Sequence, residues 1–136
     1  MTVLDSSGVV DYLIDTGVAP EVGHLLVEDS QMPLAAPEIL VVEVVSTLRR
    51  LARRRVTSAG RAGKAVEDLG AMRVDLFPTI HLRRRAWELR ENVATADAMF
   101  LALAELLDEP LATKDQRLAR AADQFTAVET ILLGSQ

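Results

Sequence analysis

The sequence predicts an α/β fold, a three-layer α/β/α sandwich around a mainly parallel central sheet. Short apolar runs alternate with longer helical patterns along the whole chain, which is how successive βαβ units read. No repeat, low-complexity tract or internal linker interrupts them. The 136 residues are enough for a single domain, 1–136, with its own core.

The elements follow in order. Thr2-Val3-Leu4-Asp5 reads as a first strand ending in an acid. Ser6 or Ser7 is positioned to cap a helix through about residue 14, with Val9, Val10, Leu13 and Ile14 on its apolar face. Thr16-Gly17 ends it. A second helix is predicted over 19–27, with Val22, Leu25 and Leu26 inward. A second strand is predicted over 31–35, and Pro33 suggests that it lies at a sheet edge. Pro37 then opens a long helix to about residue 54. Its β-branched run resembles a strand, but its length and the row Leu40–Val44–Leu48 favour a helix.

The second half alternates in the same way. A helix is predicted over 57–72, with Thr57 or Ser58 as cap, and residues 73–77 alternate as a half-buried strand. A helix over 79–91 turns Leu82, Ala86 and Leu89 inward. Thr95 reads as the N-cap of a helix over 96–107 in which only Asp97 and Glu105 are polar, so most of its sides should be buried. Pro110-Leu111-Ala112-Thr113 is a buried strand, Asp115 comes just after it, and an Arg- and Ala-rich helix follows. Residues 126–132 supply a last strand.

Composition narrows the function. With 49% hydrophobic and 26% charged residues, the chain is ordinary globular protein. The absence of cysteine excludes disulfides, iron–sulfur clusters and thiolate zinc sites. Asp5, Asp11 and Asp15 interrupt the N-terminal apolar run, so no signal peptide is expected. No run approaches the roughly 20 apolar residues of a membrane span, so the expected location is cytoplasmic. The net charge of −5 does not announce a nucleic-acid binder, yet positive charge clusters at Arg49, Arg50 and Arg53 to Arg55, at Arg83 to Arg85, and at Lys114, Arg117 and Arg120. Local patches decide phosphate attraction.

Open parallel sheets bind ligands outside the carboxyl ends of their strands. Asp5 and Asp115 fall there. Asp97 starts a buried helix, and Glu43 sits among apolar residues one to two turns into another. These two reach the same edge only if their helix N-terminal ends face it. Each acid has a structural alternative: Asp5 as a strand terminator, Asp115 as a cap, Asp97 as a partner of the helix dipole, and Glu43 in a surface row with Thr47 and Arg50. Four carboxylates brought together would raise one another's pKa or bind a divalent cation. Oxygen-only ligands suit Mg²⁺ or Mn²⁺, which activate water and stabilise phosphoryl charge. The residues therefore point to metal-dependent phosphodiester hydrolysis, with Arg50, Arg54, Lys114 and Arg117 as candidate phosphate contacts.

The chain resembles the PIN-domain ribonucleases, and within them the VapC-type toxins of type II toxin–antitoxin systems. The resemblance spans almost the full length. It is carried by Val3-Leu4-Asp5-Ser6-Ser7, by Pro37 to Val44 with Glu43, by Thr95-Ala96-Asp97-Ala98 with Leu101 to Glu105, and by Pro110 to Leu118 with Asp115. It implies an endoribonuclease dependent on Mg²⁺, with Asp5, Glu43, Asp97 and Asp115 as catalytic metal ligands and Thr113 beside them. It also implies an RNA substrate, a homodimer, and an antitoxin whose tail occupies the active-site groove. The chain departs from the family pattern at Ala96, Ser46 and Gln116. Two other readings stand beside it. One is a non-catalytic RNA- or protein-binding module on the same scaffold. The other is a metal-dependent phosphatase of the haloacid-dehalogenase type, which would want a second Asp where Ser7 stands.

Overall fold

A computed structural model describes residues 1–28 and 33–134. Among these the order is β1 (Val3–Leu4), α1 (Ser6–Ile14), α2 (Ala19–Glu28), β2 (Leu34–Pro37), α3 (Ile39–Arg53), α4 (Ala59–Ala71) and β3 (Val74–Phe77). A 3-10 turn (Thr79–Leu82) then leads to α5 (Arg83–Glu88), α6 (Thr95–Leu107), β4 (Leu111–Thr113), α7 (Gln116–Phe125) and β5 (Thr130–Leu132). The strands form one sheet in the order β3-β2-β1-β4-β5, and every neighbouring pair is parallel. Helices flank the sheet, giving the α/β/α sandwich that the alternation predicts.

The core explains the order. β1 is central, with Val3 registered against Ala35 on one side and Leu111 on the other. All residues of β1, β2 and β4 are buried, as expected for strands covered on both faces. α6 packs on β1, β2 and β4, and α5 packs on α6. The buried run from Phe100 to Ala104 shows why α6 is apolar nearly all round. α1 packs against α2, α3 and α4. The predicted inward rows Leu40–Val44–Leu48 and Leu82–Ala86–Leu89 are buried.

Several local expectations are corrected. The second strand is not at an edge: β2 lies between β1 and β3. Pro33 precedes it, so the missing N–H falls outside the strand, and Pro37 is its last residue. Residues 31 and 32 of the predicted strand lie outside the described residues. Pro37 therefore does not open the long helix; α3 starts at Ile39. The helix over 79–91 splits into the 3-10 turn and the short α5, which closes at Leu89. Thr95 is the first residue of α6 rather than its N-cap, and Ala94 takes that place without a side-chain bond. The cap of α1 is Asp5, not Ser6 or Ser7. Ser58 does cap α4, as one of the two residues proposed for that role.

Candidate active site

Parallel pairing puts every strand's carboxyl end on one edge of the sheet. The backbone there passes directly from strand to helix. Asp5 follows β1 and caps α1, and Asp115 follows β4 and caps α7, accepting from the N–H groups of Arg117 at 2.9 Å and Leu118 at 3.3 Å. Asp97 lies in the first turn of α6, and Glu43 lies one turn into α3. Helix N-termini carry partial positive charge, which offsets part of the repulsion between acids gathered at them.

Asp5 is the most constrained of the four, at 6% exposure. Its Oδ1 accepts from Ser7 Oγ at 2.9 Å and from the Gly8 N–H at 3.3 Å. Its Oδ2 accepts from Thr113 Oγ1 at 2.5 Å. Burial raises its pKa above 3.8; the bonds from Thr113, Ser7 and Gly8 offset part of that rise, and the charge of Asp115 adds to it. Thr113 is fully buried, and its hydroxyl also accepts from the Asp115 N–H at 3.0 Å. One hydroxyl thus ties the acid after β1 to the backbone of the acid after β4.

The other acids lie within the same electric field. Burial raises the pKa of half-buried Glu43, an interaction with the Ser6 hydroxyl opposes this, and the Asp5 charge raises it further. Asp97 is pushed up to about 6, first by burial and then by the charges of Glu43, Asp115 and Asp5, with Arg117 opposing. Asp97 therefore senses each of the other three acids, and α6, which carries it in its first turn, packs on both β1 and β4. Among the described residues, no three acids or histidines stand close enough to form a ready-made metal cage. The donor set, all carboxylate oxygen, suits a hard divalent cation that keeps several waters and recruits few protein ligands.

The PIN domain family matches residues 2–124. The chain belongs to the PIN-domain family. Among similar curated proteins, ribonuclease VapC1 of Mycobacterium tuberculosis is 37% identical over 120 residues, covering 88% of this chain and 89% of that protein. Ribonuclease VapC9 of the same organism is 34% identical over 119 residues, with the same coverages of 88% and 89%. Among solved structures, a toxin–antitoxin complex from Klebsiella pneumoniae superposes with a TM-score of 0.61 at 18% identity, covering 94% of this chain and 95% of that one.

In this PIN domain the candidate phosphate contacts separate. Arg117 is exposed at the start of α7, and its charge is felt by Asp97. Lys114 is spoken for: its Nζ donates to Asp11 Oδ2 at 2.8 Å. Asp11, 7% exposed, also accepts from the Val18 N–H at 3.1 Å and from Thr16 Oγ1 at 3.4 Å. Arg50 and Arg54 are exposed on the far half of α3, beside a groove shared with Ser46, Arg49 and Arg53.

Sequence reasoning named Ser7 as a candidate helix cap and Asp11 as a charge in the N-terminal run, but gave neither of them, nor Gly8, a part in the site. An acid followed by Ser-Ser-Gly carries a cap signal, but that signal does not say which of the three polar residues takes the cap. Gly8 has a second constraint, because a Cβ there would come within 2.9 Å of Leu4 Cδ1. The partnership of Asp11 with Lys114 spans 103 residues, and no local pattern announces it.

Proposed function

We propose that this PIN domain is the toxin of a type II toxin–antitoxin pair and an endoribonuclease dependent on Mg²⁺, with Mn²⁺ as a possible substitute. The single observation that carries the reading is the joining of Asp5 and Asp115 through the buried Thr113 hydroxyl at the ends of β1 and β4, with Asp97 in the first turn of α6 and Glu43 one turn into α3. The names of the relatives VapC1 and VapC9 as ribonucleases support the reaction class. A cation bound by the four acids would activate water and stabilise the charge on the scissile phosphate.

The residues divide the work. Asp5 is held rigid by its three bonds and serves as the fixed ligand. Thr113, although adjacent, has no exposed surface and acts by holding Asp5 and Asp115 in register. Glu43 and Asp97 are partly buried and crowded by the other carboxylates, a repulsion that a bound cation would relieve, so they suit ligation. Arg117, exposed in the first turn of α7, would meet a flanking phosphate.

A cognate antitoxin belongs to the proposal, supported by the fold likeness to the Klebsiella toxin–antitoxin complex. A homodimer belongs to it as well; Val42, Ile80, Trp87 and Leu106 are each more than half exposed and offer apolar surface for association. Among the described residues no helix is long and apolar enough to cross a membrane. A non-catalytic binding module remains the second reading, favoured by the lack of a ready-made group of three ligands among the described residues.

The deciding experiment incubates antitoxin-free protein with RNA in Mg²⁺, Mn²⁺ or EDTA. The nuclease reading expects cleavage in the first two and none in the third, with folded Asp5→Asn, Glu43→Gln, Asp97→Asn and Asp115→Asn variants inactive. Binding of RNA without cleavage in any divalent ion would instead favour the binding module.

A further inference from the structure

Among the described residues, Arg49, Arg50 and Arg53 on the second half of α3, with Arg54 as its cap, form a cluster of charge without an ion-pair partner. Among the described residues, no acid lies within ion-pair distance of Arg49, Arg50, Arg53 or Arg54. The chain is not short of acids, with 20 against 15 Lys and Arg. Other arginines are engaged: Arg85 binds Glu105 in two-pronged fashion, Arg90 pairs with Glu91, and Arg61 and Arg83 donate to the carbonyls of Ile14 and Ile80.

The cluster carries an internal cost. Arg49 with Arg53, and Arg50 with Arg54, are like-charge pairs at the i, i+4 spacing, which destabilise a helix. The C-terminal end of the helix dipole accommodates one or two such charges. It does not account for two parallel rows. An open groove of about 530 Å³ is lined by these four arginines and Ser46. Two rows of guanidinium groups along a groove match a chain of phosphates, each of which takes paired N–H donors.

The groove has a fixed relation to the acids. Glu43, Arg50 and Arg54 fall in one row of the same helix, so at about 1.5 Å per residue the two arginines stand roughly 10 and 16 Å beyond Glu43 along the axis. That places the groove outside the chemistry but within reach of the same strand. We propose that Arg49, Arg50, Arg53 and Arg54 hold the phosphates of the single-stranded RNA that flanks the bond being cut. The proposal rests on the nuclease reading and adds to it the direction of the strand, away from Glu43 toward the end of α3. A cation-lined helix face so placed governs how firmly a long RNA is held and leaves the chemistry of the bound bond unchanged.

The test uses the full chain and a fluorescein-labelled single-stranded RNA, titrated in EDTA over a range of salt and read by anisotropy. The variants replace all four arginines by glutamine or, as the charge-conserving control, by lysine. Circular dichroism and melting verify that each variant is folded. The expected result is binding more than tenfold weaker at low salt for the glutamine variant. Its slope of log affinity against log salt should be flatter by roughly 1.4–2.8, at about 0.7 for each phosphate no longer neutralised. The lysine variant should restore most of the slope. In Mg²⁺ the glutamine variant should raise KM on long RNA while leaving kcat within about twofold, as removal of uniform binding does. An unchanged salt slope in the folded glutamine variant overturns the proposal. So does abolished binding of poly-glutamate with RNA binding intact, which would assign the groove to an acidic protein partner. Because binding is measured without divalent ions, failure of the wild-type chain to cut RNA would count against the nuclease reading separately.

Discussion

The hydroxyl of Thr113 donates to Asp5 Oδ2 at 2.5 Å and accepts from the Asp115 N–H at 3.0 Å. Two acids that are 110 residues apart in sequence are thereby joined through one buried atom at the ends of adjacent strands β1 and β4. Replacing Thr113 by valine keeps the shape and removes both bonds. Thr113→Val should lower stability by about 1–3 kcal/mol, the usual result of leaving a buried polar group unpaired. It should also weaken Mg²⁺ binding or cleavage by about tenfold or more, as removing a ligand's supporting bond does. Thr113→Ser should retain both. Thermal melts and metal titrations of the two variants check this; equal behaviour of valine and threonine would remove the hydroxyl from the account.

The acids also predict a pH dependence. The pKa of Asp97 is raised in the folded chain from 3.8 to about 6, so between those values the folded state binds more protons than the unfolded one. The contribution of Asp97 is therefore most favourable below about pH 4 and is lost as the pH rises through about 6. Asp5 and Glu43 are raised as well and act in the same direction. Because Asp97 is only partly buried, its share is on the order of 1 kcal/mol after allowance for solvent screening. Metal-free protein should lose stability across this window, Asp97→Asn should flatten the decline, and Mg²⁺ should reverse it. Denaturant melts at a series of pH values, with and without Mg²⁺, measure all three.

Lys114 presents a contrast with the arginines of α3. Its ammonium lies 2.8 Å from Asp11, which is 7% exposed and also secures the Val18 N–H at the junction of α1 and α2. Lys114→Met should destabilise the fold while changing the salt dependence of RNA binding little. A double-mutant cycle with Asp11→Asn should give a coupling of about 1 kcal/mol. Additive effects of the two substitutions would show the pair to be independent.

Gly17 guards the same junction. Its φ of +50° favours glycine, and a Cβ there would run into the Asp11 carboxylate. Gly17→Ala should cost more than about 1 kcal/mol of stability. A thermal melt reads this directly, and an unchanged melting temperature would mean that Asp11 can move aside.

The layered architecture was legible because periodicity survives tertiary context: the apolar α6 and the Leu40–Val44–Leu48 row could be recognised without coordinates. What was not legible was decided by hydrogen bonds. Asp5 and the neighbouring serines all suit a helix cap, and only the path of the backbone chooses Asp5. Pro33 suggested an edge strand, but its missing N–H precedes β2 and leaves the ladder intact. The break between the 3-10 turn and α5 follows no proline or glycine within 79–91, and the apolar spacing reads the same through it. At the site, the sequence named the acids, and the family resemblance put Thr113 beside them, but the bonds that support the acids were not legible. Ser7, Thr113 and Asp11 act across turns or strands, where identity alone does not report a contact.

The central claim is that Asp5, Glu43, Asp97 and Asp115 converge to bind one kind of ion. Crystals of the protein soaked in Mn²⁺ and measured for anomalous scattering test it most directly. The account predicts a peak at coordination distance, about 2.1 Å, from carboxylate oxygens of Asp5 and at least one of the other three. At saturating Mn²⁺, a peak bound elsewhere, or none among these four side chains, would contradict it.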